Sequence, residues 1–568
     1  MGIVDENHGI KINAAFEADE FQVVETAFTP AGRLGVKAFH KTATNYDTGK
    51  KKTAYYIEGN HYERGYLLGL LAEPNISKMA IDFVNRIVFD FLGLDFFNRF
   101  PFVHQLLVDT LYKMSKNTWE SQPKHVHDEV KGLLDGCKKA NRKTLVTLSR
   151  LCVINVGFDV LCALIYSGKI LQRLIPQFSP ESIKIALMCN AFSVFGEAAG
   201  NNHWFARDFM FASGGVLQDN LAHIIHNPDD DGSAGNLYPY VNIAAPGMVG
   251  SISAMNICGV AAGVNMSPAA NNNPDYVGMN SLLLTRECIM RGASAFDAAN
   301  VIQNAHRGVT WNYVISDGLS DMACTVEAGA SQHNFTPLNY PPENILPYLP
   351  DSAFLYDQMT APVKNGAAVR WSDLPLPDSY LSFNNDLWNY YKDKHDSKIQ
   401  LHNGAFSTDG FINNTPEEKN CPSTFYFTPK RSGESVHITT NHFLLPHMRL
   451  CAMDPWIVRL IKGNVNDIQW RYDEINRQIK EELRNKGSVD YEAVKRIAEF
   501  LAPYGNHPDY YRNNPKSKDG KDIRIEGCIS VFNLKECTVE SHYGYYGDEW
   551  VKTTLPAYII SPVSYWHT

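Results

Sequence analysis

The sequence predicts a mixed α and β fold, with stacked sheets covered by helices and a helical N-terminal segment. Three observations predict it. The front portion carries helical periodicity, most of 186–330 reads as short strands joined by Gly and Asn turns, and the change between them is sharp, at about residue 188. Composition allows it: 44% of the 568 residues are hydrophobic and 20% charged, so a large core is supplied and disorder is excluded as the main state. At about 150 residues per domain the length allows roughly four domains, or one α/β enzyme with insertions. The formal charge is −9 with no long basic block, which argues against a nucleic-acid partner.

Residues 1–56 read as an irregular or β-rich lead. From Gly59 to Lys169 apolar residues recur at three and four in IDFVNRIVFDFL, VHQLLVDTLYKM and VHDEVKGLLDGCKKA, and Pro74, Pro101 and Pro123 are expected to punctuate these helices. Ser182 to Phe195 is an apolar run with β-branched members and no helical charge pattern. NHWFARDFMF, YPYVNIAA, GSISAMNICGVAAGVN, WNYVISDG and MACTVEAG follow as strands, interrupted by one helix from about Ser281 to His306. Residues 330–430 are rich in Pro, Asn and Asp and read as a loop-rich insertion or lid. VHITTNHFLL is a strand, Asp467 to Lys486 and Tyr491 to Leu501 are amphipathic helices, and Asp522 to Tyr558 is strand-like again. There is no internal repeat.

No uncharged apolar run reaches the ~18–20 residues of a membrane span; the nearest, Leu151 to Tyr166, carries Asp159. The Phe-rich stretch Phe83 to Phe102 suits a buried helix pair or an acyl-facing wall. The first 20 residues lack the basic and apolar regions of a signal peptide. A cytoplasmic location is expected if this N-terminus is native, and a secreted or periplasmic one if a signal was removed.

Several chemistries lack support. Eleven cysteines without a CxxC pair give neither a disulfide framework nor zinc spacing. Asn227, Asp229, Asp231 and Gly232 imitate half a calcium loop, but Tyr238 stands where its glutamate belongs. No HExxH, GxxxxGK[ST], strand-borne GxGxxG or GxSxG occurs, so neither metal nor cofactor is expected. What remains is Cys189, at the junction of the two portions. Alone it reads as a buried cysteine. Its company changes that. Arg207-Asp208 is a charged pair inside an apolar strand, costly to bury unless each charge has a partner. Asn256 and Asn441 sit in strands where Asn is disfavoured, and a neutral donor toward an oxyanion would explain both.

The run CNAFSVF…NHWFARDF followed by SAMNICGVAAGVN resembles the isopenicillin N acyltransferase-like cysteine amidohydrolases (acyl-CoA:6-aminopenicillanic acid acyltransferase) of the Ntn-hydrolase superfamily, more distantly the choloylglycine hydrolases and acid ceramidases. The ordered set extends over roughly 55–560. Gly59, Tyr62, Glu63, Gly65 and Gly69 match a front motif G-x-x-Y-E-x-G-x-x-x-G; Arg286, Asn312, Asp317 and Glu327 follow, then Thr440 to Phe443, Arg471, and Gly527 to Ser530 with Gly544 and Trp550. Met188 and Asn190, either side of the cysteine, depart from the usual residues, and Asp208 can occupy either of two motif positions.

The resemblance implies an α/β (α+β) fold, an Ntn-hydrolase αββα sandwich of two mainly antiparallel sheets covered by helices. It implies autocatalytic cleavage between Met188 and Cys189, giving an N-terminal, largely helical segment (1–188) and a catalytic portion (189–568) that stay associated. A free α-amine has a pKa of about 7.7–8.0 and a thiol about 8.5, so a new N-terminal amine can act as base for its own side chain. The nucleophile would be Cys189, with Asn441 and Asn256 at the oxyanion, Arg207 and Asp208 orienting amine or substrate, and Arg471 in support. The implied substrate is a small N-acyl or lipid-like molecule with a linear amide. A phospholipase on the same scaffold and an uncleaved, non-catalytic binding protein are the alternatives.

Overall fold

The computed structural model describes residues 6–45, 48–85, 101–166, 189–210, 215–231, 236–267, 278–309, 311–331, 364–372, 434–441, 443–445, 448, 465–501 and 524–559. Met188, His442, most of the Phe-rich stretch and nearly all of 330–430 lie outside them.

Sixteen described strands form two sheets. The first has ten, in the order β1 (Phe21–Phe28), β2 (Leu34–Thr44), β3 (Lys51–Gly59), β6 (Ala222–Pro228), β7 (Tyr240–Ala244), β8 (Ser253–Asn256), β9 (Val260–Met266), β10 (Trp311–Asp317), β11 (Met322–Ala328) and β12 (Ala367–Trp371). The second has six: β13 (Val436–Thr439), β4 (Asn190–Gly196), β5 (Asn202–Met210), β14 (Arg524–Asn533), β15 (Thr538–Tyr545) and β16 (Val551–Thr554). Neighbours pair antiparallel except β3 with β6. The first 188 residues are thus more than helical: they supply three strands at one side of the larger sheet.

The sheets face each other. Ser193 Oγ of β4 meets Ser316 Oγ of β10 at 2.5 Å, and His437 Nε2 of β13 meets Thr325 Oγ1 of β11 at 2.7 Å. The described helices, in chain order, are α1 (Glu6–Ala18), α2 (His61–Lys78), α3 (Pro101–Glu120), α4 (Lys124–Ala140), α5 (Leu148–Cys152), α6 (Phe158–Tyr166), α7 (Val216–Asn220), α8 (Ser281–Arg291), α9 (Ala295–Asn304), α10 (Val465–Lys486) and α11 (Tyr491–Leu501). Helices α2, α8 and α9 cover the ten-stranded sheet, and α10 and α11 cover the other. The result is four layers: helices, sheet, sheet, helices. Apolar residues of both inner faces and of the helix seams fill two clusters, the smaller one under α10 and α11. No helix among the described residues is long and apolar enough to cross a membrane.

The front motif explains itself as helix packing. Asn60 caps α2: its side chain accepts from Glu63 N at 3.0 Å and its own N–H donates to Glu63 Oε2 at 3.0 Å. Gly65 and Gly69 then lie against Gly132 and Gly136 of α4. A Cβ at Gly65 would stand 2.0 Å from Glu129 O, and one at Gly132 2.0 Å from Tyr62 O. Only glycine allows backbones this close. Pro101 and Pro123 do mark helix starts, but Pro74 lies inside α2, which continues to Lys78. The close seam with α4 holds the helix through the missing hydrogen bond.

Two further expectations are refined. The predicted helix 281–306 is two helices, because Asn280 caps α8 and Ser294 caps α9 with Gly292 between them. Asp159, the charge in the apolar run, accepts from Ser281 N at 2.6 Å and Ser281 Oγ at 2.8 Å at the start of α8. Burial pushes its carboxyl up to about 7. Two of the calcium-like residues are in ion pairs: Asp229 pairs with Arg33, and Asp231 with Arg291 at 3.0 Å.

Candidate active site

Cys189 directly precedes β4 and is 3% exposed. Two side chains hold it: its N–H donates to Asn441 Oδ1 at 2.9 Å and its carbonyl accepts from Arg471 Nη1 at 2.7 Å. The Arg207 guanidinium lies beside it, donating to the next carbonyl, Asn190 O, at 3.5 Å. Arg471, on α10, also donates to Asn190 Oδ1 and, at 3.0 Å, to Asn441 Oδ1. Both arginines are fully buried.

Strand geometry sets this arrangement. Asn190 pairs with Asp208 and Ala191 with Arg207, so the two charges of the Arg-Asp pair fall on opposite faces of the six-stranded sheet. Arg207 points between the sheets, where it donates to Asn265 Oδ1 and Val264 O of β9. It can lie there because residue 263 is glycine; a Cβ would stand 2.0 Å from its Nε. Burial lowers the Arg207 pKa, and Cys189 and Asp208 oppose that shift. Asp208 accepts from Asn190 Nδ2 at 3.0 Å, while its buried Oδ1 has no partner. Burial drives its carboxyl up to about 7 against the pull of Asn190, Arg207 and Arg471.

Five of the six expected residues therefore converge: Cys189, Arg207, Asp208, Asn441 and Arg471. Asn256 does not join them. Its amide nitrogen donates to Ile289 O at 2.8 Å and Gly292 O at 2.7 Å, and its oxygen accepts from Cys258 N and Val260 N. It closes the C-terminus of α8 and the β8–β9 turn, so its polar atoms are spent. Asn441 is present but turned: its nitrogen donates to Met266 O at 2.6 Å, and it is the oxygen that faces Cys189. Here it positions the Cys189 nitrogen rather than offering an N–H to an oxyanion.

Two contributors were missed. Asn190 bridges Arg471 and Asp208. Asn265 joins Arg207 to the carbonyls of Thr439 and Thr440, each at 3.2 Å. In the sequence Asn265 is only the last residue of the run SAMNICGVAAGVN. Other thiols lie in environments hostile to ionisation: burial pushes Cys137, Cys152, Cys258, Cys528 and Cys537 up to about 12. Among the described residues no group of three or more His, Cys, Asp or Glu side chains could hold a metal ion.

No protein-family model matches the chain. An uncharacterized protein of Archaeoglobus fulgidus is 24% identical over 539 residues, covering 93% of this chain and 70% of its own length. Among solved structures, the chain is similar to a Caenorhabditis elegans N-acylethanolamine-hydrolyzing acid amidase ortholog (TM-score 0.28, 8% identity, 61% of this chain and 93% of that one). It is likewise similar to penicillin V acylase from Agrobacterium tumefaciens (0.28, 12%, 62% and 83%). A conjugated bile acid hydrolase from Clostridium perfringens aligns at 0.30 and 10%, covering 65% and 93%. Such low superposition scores leave the chemistry to be read from this chain's own side chains.

Proposed function

We propose that the chain is an N-terminal-nucleophile cysteine amidohydrolase that matures by cutting itself between Met188 and Cys189 and then cleaves a linear amide of an N-acyl substrate. One observation carries this reading: the nitrogen and the carbonyl of a single residue, Cys189, are each held by a different buried polar side chain, and the buried Arg207 guanidinium reaches the carbonyl of the next residue. A cysteine serving only as core filling needs no such handling.

As a peptide nitrogen, residue 189 has its lone pair delocalised into the carbonyl and takes no proton. Cleavage adds water across the Met188–Cys189 bond, leaving a carboxylate on residue 188 and an amine on residue 189 beside its own thiol and facing Asn441 Oδ1. The amine takes the thiol proton and Arg207 steadies the thiolate. Sulfur adds to the substrate carbonyl, the C–N bond breaks, and the amine product leaves with the proton from the α-ammonium. Water adds to the thioester, the C–S bond breaks and the acid is released; a second amine in place of water makes the same step an acyl transfer. The buried guanidinium of Arg207 is the cation set to oppose charge developing near sulfur.

The test is intact-mass analysis and N-terminal sequencing of the purified protein, with N-acyl amide turnover assayed beside it. The expected result is two co-purifying pieces, one beginning at Cys189, and loss of turnover in Cys189→Ala. A single uncut chain of 63.8 kDa with full activity would falsify the reading.

A further inference from the structure

Asn441 lies just past the end of β13, in a stretch without regular structure, so its position must come from elsewhere. Two charged residues of the opposite sheet tie down the chain on both sides of it. Upstream, Arg370 of β12 donates through Nη2 to Ile438 O at 3.0 Å and Thr439 Oγ1 at 3.2 Å. Downstream, Glu327 of β11 accepts Leu444 N on Oε1 at 2.9 Å and Leu445 N on Oε2 at 3.0 Å. The two brackets are joined, since Arg370 Nε lies 3.4 Å from Glu327 Oε1. Glu327 is fully buried and Arg370 is 2% exposed.

A buried ion pair is a poor way to gain stability, because both charges leave water. It is a good way to fix a geometry when, as here, each oxygen of the carboxylate takes one of two consecutive backbone N–H groups. We propose that Glu327 and Arg370 are positioning residues: they hold the chain on either side of Asn441, at residues 438–439 and 444–445, so that the Asn441 side chain meets the Cys189 nitrogen. This rests on the reading of Cys189 as the nucleophile.

The test is Glu327→Gln in the full chain, with Arg370→Lys as the second variant should the first fail to fold. Whichever way the new amide turns, its NH2 faces one of the two backbone N–H groups, so one hydrogen bond is lost while shape and volume stay. The readout is the rate of Cys189 alkylation by iodoacetamide from pH 6 to 9, followed by peptide mass spectrometry, with Cys258 as internal control and thermal melting alongside. The expectation is a Cys189 rate about tenfold lower with a displaced pH profile, an unchanged Cys258 rate, and lost hydrogen-exchange protection at Leu444 and Leu445. A variant that melts lower but keeps the wild-type Cys189 rate and profile reduces the pair to a structural bridge and overturns the proposal. Wild-type Cys189 reacting no faster than Cys258 instead removes the nucleophile reading, and the positioning role falls with it.

Discussion

At the scale of single residues, Asp208 is the group whose ionisation the fold opposes most directly within the site. One oxygen accepts from Asn190, the other is buried without a partner, and the carboxyl is pushed up to about 7. Its folded pKa lies above its unfolded value of 3.8, so its contribution to stability is fully present below that value and is lost as pH rises through about 7. Asp208→Asn removes the ionisation while keeping the shape. Melting curves from pH 4 to 8 should show the variant gaining on wild type as pH rises, by a few kcal/mol at pH 8; parallel curves would mean that Asp208 titrates normally. The same residues show what a sequence can disclose. Arg207-Asp208 was legible because a charged pair in an apolar strand demands partners: Arg207 has Asn265 and Val264 O, whereas Asp208 has only Asn190 on one of its oxygens. Asn256 and Asn441 looked alike, since an Asn in a strand is equally explained by capping a helix end or by meeting a nucleophile. Only the tertiary arrangement of α8 separates them. Asn190 stood out only as a departure from the motif and Asn265 only as the end of a matched run, because the importance of each lies in linking groups far apart in the chain: Arg471 to Asp208, and Arg207 to the carbonyls of Thr439 and Thr440.

At the scale of elements, periodicity located α3, α4, α10 and α11, because each buries one face and the apolar spacing records it. What periodicity cannot record is which helix meets which. The glycines of α2 and α4 were visible as a motif in one case and unremarked in the other, yet they form a single seam. That seam is testable. In Gly65→Ala or Gly132→Ala the new methyl must displace a carbonyl oxygen standing 2.0 Å away, and both obstacles are backbone. The helices must separate, at a cost of about 3 kcal/mol in denaturant unfolding. Gly9→Ala in α1 is the control, since nothing lies within 4 Å of its Cβ position; it should be neutral or stabilising by up to about 1 kcal/mol. Equal effects from all three would show that helix propensity, not the close seam, is being measured.

At the scale of the whole molecule, the bond proposed to be cut does not divide the structure. Residues before it and after it are interleaved: β3 pairs in parallel with β6, Glu129 of α4 accepts from Arg286 of α8 at 2.9 Å, and Asp159 holds the start of α8. Lys52 of β3 meets Asp548 at 3.0 Å with both side chains 3% exposed, and Asp19 accepts from Thr554 N at 2.8 Å. Cutting one peptide bond leaves all of these in place, so the mature pieces should travel as one particle in native chromatography and part only on unfolding. The converse is sharper. Residues 189–568 produced alone lack β1–β3 and α2, which leaves β6 as an unpaired edge and strips the helix layer from that end of the sheet. That portion should be insoluble by itself and recovered in soluble form when 1–188 is co-produced as a separate chain. If 189–568 alone were soluble, monomeric and as active as the whole, the N-terminal third would be a dispensable cover rather than part of the fold.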